Sequence, residues 1–163
     1  MIDVVNLQRK VKIELSAYRA FIKELVKAIP ETTERKFSVA FIGDSRMRKL
    51  NELFRGNHST TDVLSFPYEP DEFLSLPPAV AGGVVKDKDN AMVSTRLGTD
   101  FLGDIVISAE QAERQANEND LTLENEIKQL ILHGLLHLYG YDHESDTGEM
   151  NERELELRDK LGI

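Results

Sequence analysis

The sequence predicts a single α+β domain. Three observations carry this. The chain has 163 residues, room for one core and too few to expect two. Short runs rich in β-branched and aromatic residues recur along it. Between them lie longer segments whose apolar residues repeat at helical spacing.

Residues 2–6 read as a first strand. Over 15–29, Leu15, Tyr18, Phe21, Ile22, Leu25, Val26 and Ile29 form one helical stripe, and Pro30 ends it. Phe37-Ser38-Val39-Ala40-Phe41-Ile42 is the second strand. Gly43-Asp44-Ser45 breaks it and caps a helix to about Phe54, with Met47, Leu50, Leu53 and Phe54 facing inward. Val63-Leu64-Ser65-Phe66 is a strand closed by Pro67, and Asp104-Ile105-Val106-Ile107 is another. Ser108 can cap a helix over 109–118. Thr122 can cap the next, with Glu124 and Glu126 in its electropositive first turn and Ile127, Leu130 and Ile131 on its core face. A last helix spans about 147–161, and its glutamates read as a solvated face.

The stretch from Glu69 to Asp100 differs. It holds three of the five prolines and the pair Gly82-Gly83, and lacks clear periodicity. A segment of that kind inside a small domain reads as a long mobile insertion at about 69–100.

Composition narrows the function. Hydrophobic residues make up 40% of the chain, as in ordinary globular proteins, and no run is long enough for a membrane helix. The first residues lack the basic and apolar regions of a signal peptide. There is no cysteine, which fits a cytoplasmic protein and leaves His, Asp and Glu as the only strong metal ligands. The net charge of −9 argues against nucleic acid, but its distribution does not. Residues 1–55 carry twelve Lys/Arg against seven Asp/Glu, whereas 56–163 carry eight against twenty-two. A basic first third could present a phosphate-binding face on an acidic body.

The chemistry concentrates in His133-Gly134-Leu135-Leu136-His137-Leu138-Tyr139-Gly140-Tyr141-Asp142-His143, which holds three of the four histidines. His133 and His137 are one helical turn apart and stack on one face. Gly140 tolerates the left-handed conformation that ends helices, so the chain can bring His143 back towards the pair. Three imidazoles with an open fourth position are the donor set of a catalytic zinc. The same spacing occurs in zinc proteases that carry a glutamate base after the first histidine. Here that position is Gly134, which argues against peptide hydrolysis. Three neutral ligands leave the ion its full charge. Such an ion lowers the pKa of bound water to about 7 and polarises a phosphoryl oxygen. A centre this cationic suits a phosphodiester, gripped by a nearby arginine.

Arg55 is the candidate for that arginine. The segment from Leu50 through Arg55 to Thr61-Asp62-Val63-Leu64-Ser65-Phe66-Pro67, then Leu102-Gly103-Asp104-Ile105-Val106-Ile107, then the histidine run, resembles in that order the YbeY family of rRNA maturation factors. The likeness covers nearly the whole chain. It implies a small mixed β-sheet flanked by helices, with the metal site on a helix and the turn after it. It implies a single-strand-specific, metal-dependent endoribonuclease that processes ribosomal RNA, notably the 3′ end of the small-subunit RNA, and serves ribosome quality control. Carried over by position, His133, His137 and His143 bind one divalent ion, zinc by its ligand chemistry, with no further cofactor. Arg55 is the catalytic arginine, and Asp104 braces the strand beside the cleft. The implied partners are ribosomal RNA, pre-ribosomal or ribosomal particles, and with them ribosomal proteins or assembly GTPases, with no membrane. The chain departs from the family in the loop Gly56-Asn57-His58-Ser59-Thr60, where a proline and more charge are usual, and in the length of its 69–100 segment. His58 is expected to be a plain loop residue.

Two other readings remain open from the residues. One is a metallohydrolase acting on a peptide or small ester, which Gly134 disfavours. The other is a non-catalytic ribosome-assembly factor whose zinc is structural, closed by Asp142 or a neighbouring glutamate.

Overall fold

Four strands form one sheet, in the order β1 (Asp3–Asn6), β2 (Lys36–Ile42), β4 (Phe101–Ser108) and β3 (Val63–Pro67). The first three run parallel and β3 runs antiparallel to β4, so the sheet is mixed, as the family resemblance implied. The helices are α1 (Leu15–Ala28), α2 (Asp44–Arg55), α3 (Ala109–Glu118), α4 (Leu123–Leu138) and α5 (Glu149–Leu161). The structure is a computed structural model, and it describes residues 2–32, 34–68, 100–141 and 147–163. The insertion expected at about 69–100 falls, but for Asp100, outside the described residues.

β4 is buried at every position because it lies between β2 and β3 with helices on both faces. Its side chains alternate between two cores. Ile105 and Ile107 join Val39, Phe41 and Val63 in the larger core under α1, α4 and α5. Val106 joins Leu64 and Ile42 in a smaller core under α2, with Met47 and Leu50. α4 and α2 therefore cover opposite faces of the sheet. The strand β3 is the edge beside both. Asp62 accepts from Ser108 N–H and Tyr68 N–H donates to Leu102, so the even-numbered residues of β3 bond inward to β4. Pro67, at an odd position, faces outward, where its missing N–H breaks no ladder bond.

Local signals decided the helix ends. Ser108 Oγ accepts from Gln111 N–H and Thr122 Oγ1 accepts from Asn125 N–H, the two caps read from sequence. At α2 the cap residue is Gly43, and Asp44 is already inside the first turn. Its carboxylate instead joins the ends of two elements, accepting from Ser108 Oγ at 2.7 Å and from Arg114 at 2.7 Å. One expectation for α2 fails. Leu53 is not inward-facing but 55% exposed. Met47, Leu50 and Phe54 define the buried stripe, and at 100° per residue position 53 lies well off its centre whereas Asn51 lies on it. Asn51 is accordingly buried, and its Nδ2 donates to Ser59 O across the loop after Arg55.

Asp104 does brace the sheet. It is buried and accepts a hydrogen bond from Ser38 Oγ on the neighbouring strand. Gly103 before it stands at φ +146°, and a Cβ there would meet the Phe66 carbonyl oxygen of β3 at 2.1 Å. Only glycine permits that approach. Among the described residues, no helix is long and apolar enough to cross a membrane.

Candidate metal centre on α4

α4 is the most buried helix of the fold, and its last two turns carry the histidines. Ile127, Ile131 and Leu135 sink into the larger core, and Leu132 and Leu136 are covered as well. Gly134 lies against the sheet. Its carbonyl accepts from Ser65 Oγ of β3 at 3.0 Å, and a Cβ built on it would stand 2.7 Å from Ile105 Cγ2. The position that holds the general base in the zinc proteases is thus closed by β4. A glutamate cannot occupy it in this packing. The helix ends where the sequence placed its stop. Tyr139 is the C-cap, and Gly140, at φ +87°, takes the left-handed turn while its N–H donates to His137 O.

His133 and His137 meet as their spacing required. Their Nε2 atoms are 3.0 Å apart, and the rings cross at 74°. Without a metal ion, one imidazole as the Nε2–H tautomer donates to the other's Nε2; with both lone pairs turned inward, the two nitrogens suit a shared cation. Two nitrogens on one tetrahedral zinc are separated by about 3.3 Å, from bonds of about 2.05 Å. The pair therefore fits a divalent ion with little movement. Among the described residues no three His, Cys, Asp or Glu side chains gather to hold an ion. The expected third ligand, His143, lies in 142–146, outside the described residues. Asp142, the suggested closing ligand, lies there too.

Sequence reasoning missed a residue here. Glu154 of α5 was read into a solvated face, yet it is 6% exposed. Its Oε2 accepts from His133 Nδ1 at 3.0 Å, and its Oε1 accepts from Arg158 Nη2 at 2.5 Å. Burial would push this carboxyl upward, but His133 and Arg158 together hold it below its ordinary value of 4.5. It is ionised at neutral pH. The signal was present in the chain: Met150, Glu154 and Leu157 share one helical stripe, and both neighbours are apolar.

The pair borders α5 through Glu154, while the neighbouring Gly134 meets β3 through Ser65. Lys128 lies over the Phe21 ring of α1, whereas Glu126, on another flank of α4, feels the charge of Asp62 at the start of β3. At 100° per residue His133 and His137 share the flank of Glu126. Arg55 lies over the other face of the sheet. It is exposed at the last residue of α2, next to Phe54, whose ring packs on Phe66 of β3 at 4.6 Å. The structure brings His133 and His137 together, whereas Arg55 ends α2, which packs on the opposite face of the sheet from α4. His58 is a loop residue, largely exposed and 3.1 Å from Glu52.

Comparison with known proteins accords with this geometry. Residues 3–162 match the family model described as Endoribonuclease YbeY. The chain belongs to the YbeY family. An Endoribonuclease YbeY of Thermodesulfovibrio yellowstonii is 33% identical over 96% of this chain and 93% of its own. Another YbeY, from Caldanaerobacter subterraneus, is 35% identical over 99% of this chain and 98% of its own. A Thermotoga maritima protein solved in solution shares the fold, with a TM-score of 0.59 at 22% identity over 99% of this chain and 89% of that one. The helical histidine pair and the Arg55 loop thus stand within a YbeY chain matched almost end to end.

Proposed function

We propose that this protein is a metal-dependent endoribonuclease that processes ribosomal RNA, as a single metallohydrolase domain over residues 1–163. The observation that carries the reading is the Nε2–Nε2 approach of His133 and His137, 3.0 Å apart on a helix of a YbeY-family chain. His133, His137 and His143 are its ligands, and zinc suits three imidazoles without thiolates. The ion supplies Lewis acidity at a phosphoryl oxygen and a water of lowered pKa.

The chain's own residues do the rest. α2 presents Arg48, Lys49 and Arg55 to solvent, a basic surface that tracks a phosphate backbone. Arg55, at the end of this surface, holds a phosphate by two parallel hydrogen bonds and steadies the charge that develops in the transition state. In this reading a single strand of RNA crosses the β3 edge from Arg55 to the histidines. Closure of position 134 by Ile105 removes the protease base and disfavours peptide hydrolysis. The specific substrate is the 3′ end of small-subunit ribosomal RNA. It is met in the cytoplasm on pre-ribosomal or ribosomal particles, where ribosomal proteins or assembly GTPases are the protein partners.

The test is cleavage of single-stranded and duplex fragments of small-subunit rRNA by zinc-loaded protein, with end-group analysis. Cleavage of the single strand that chelation stops and zinc restores is expected. A 2′,3′-cyclic phosphate with a 5′-hydroxyl marks attack by the ribose 2′-hydroxyl, and a 3′-hydroxyl with a 5′-phosphate marks attack by water. Cleavage that survives complete chelation would sink the metal reading. Binding to the particles with no cleavage of any rRNA would leave an assembly factor.

A further inference from the structure

Glu154 occupies a position where packing asks for an apolar side chain. Met150 is fully buried one turn before it and Leu157 is 1% exposed one turn after. A carboxylate there is costly unless paired, and replacing a buried ion pair by an apolar residue of similar volume is often neutral or stabilising. Stability alone therefore gives no reason for a glutamate. Its two oxygens do. Oε1 is held by Arg158, four residues on along the same helix, which fixes the carboxylate plane. Oε2 is left to accept from His133 Nδ1. An imidazole whose Nδ1 carries the proton has its lone pair on Nε2, the nitrogen that faces His137.

We propose that Glu154 is a positioning residue for the metal centre: through His133 Nδ1 it fixes the tautomer and ring orientation that turn the Nε2 lone pair towards the ion. Arg158 is the clamp that aims Glu154. This rests on the reading of His133 as a metal ligand. Glu154 does not touch the ion, and a carboxylate in this place also strengthens the imidazole as a donor. The C-terminal helix α5 then completes the centre as well as covering the core.

The decisive variant is Glu154→Leu, which suits the buried stripe and should keep the fold. Arg158, a third exposed, can turn to solvent. Three readouts on the same samples are needed: melting temperature, the His133 tautomer by nitrogen-15 NMR of metal-free protein, and Zn2+ affinity by competition with a chromophoric chelator. In wild type His133 should be the Nδ1–H tautomer. In Glu154→Leu it should become a mixture, with Zn2+ bound about 10- to 100-fold more weakly and melting little changed. Glu154→Gln, which keeps an acceptor, should recover part of both. Unchanged tautomer or affinity within about twofold in Glu154→Leu overturns the proposal. His137→Ala separates this from failure of the metal reading. If wild type binds Zn2+ no better than that variant, the metal reading fails, and the tautomer comparison alone decides whether Glu154 orients His133.

Discussion

Gly134 and Ile105 are in contact so close that no side chain fits between them: a Cβ on the glycine would lie 2.7 Å from Ile105 Cγ2 and 3.2 Å from Ser65 Oγ. The approach seats α4 on the sheet between its two histidines, which flank Gly134 at positions 133 and 137. Helix placement and the geometry of the histidine pair are therefore coupled through one missing methyl group.

Gly134→Ala should destabilise the protein by about 1–3 kcal/mol, the usual cost of overpacking, despite alanine's better helix propensity. Urea unfolding measures it. Ile105→Ala alone should cost about 2–5 kcal/mol through its cavity, and the double variant should lose less than the sum, because the new methyl enters the space vacated. Strict additivity would mean that α4 shifts rather than clashes.

Arg55→Ala should melt within about 1 kcal/mol of wild type, since the side chain is exposed and gives up only a favourable place at a helix C-terminus. Its cleavage of single-stranded rRNA should fall about a hundred-fold or more, with metal content intact. Arg55→Lys should recover little, as a point charge cannot form the two parallel bonds. Normal cleavage by Arg55→Ala would remove it from the site.

Asp44 and Glu126 should give opposite pH signatures. Burial alone would raise the Asp44 carboxyl, but hydrogen bonds from Ser108, Arg114 and Thr60 and the Arg114 charge hold it below its ordinary 3.8. A depressed folded value means stability fully present above the unfolded value and lost as pH falls through the folded one. Asp44→Asn should thus cost about 1 kcal/mol at neutral pH, and the gap from wild type should close below about pH 3.8. A gap independent of pH would assign the loss to packing.

Burial pushes the Glu126 carboxyl up from 4.5, aided by Asp62 and opposed by Asn119 and Arg158, and its Oε2 has no hydrogen-bond partner among the described residues. Here the sign reverses. The protonated form is favoured in the fold, so its contribution is fully present below pH 4.5 and is lost as pH rises through the elevated value. Glu126→Gln, uncharged at every pH, should match wild type in acid and exceed it by about 1 kcal/mol at neutral pH. Chemical unfolding at the two pH values checks this, and a Gln variant weaker at neutral pH would show that Arg158 needs the charge.

The sequence by itself determined what is local. Apolar periodicity placed the strands and helices, Ser108 and Thr122 marked helix starts, and Gly140 marked the stop after the histidines, because caps, turns and i,i+4 neighbours depend only on nearby residues. The pairing of His133 with His137 was legible for the same reason. The motif order also carried the family and, through it, the mixed sheet. Contacts between distant segments were decided only by the tertiary structure. Glu154 looks like any other glutamate of a charged helix until α5 packs on α4 and buries it beside His133. Leu53 looks apolar and inward until the stripe of α2 settles on Leu64 and Val106 and leaves it in solvent. Arg55 stands in the family's motif, but only the packing of α2 and α4 on opposite faces says that its helix and the histidines lie on different sides of the sheet. Burial and partnership are properties of the packed whole, and a residue's spacing along the chain does not encode which surface will close over it.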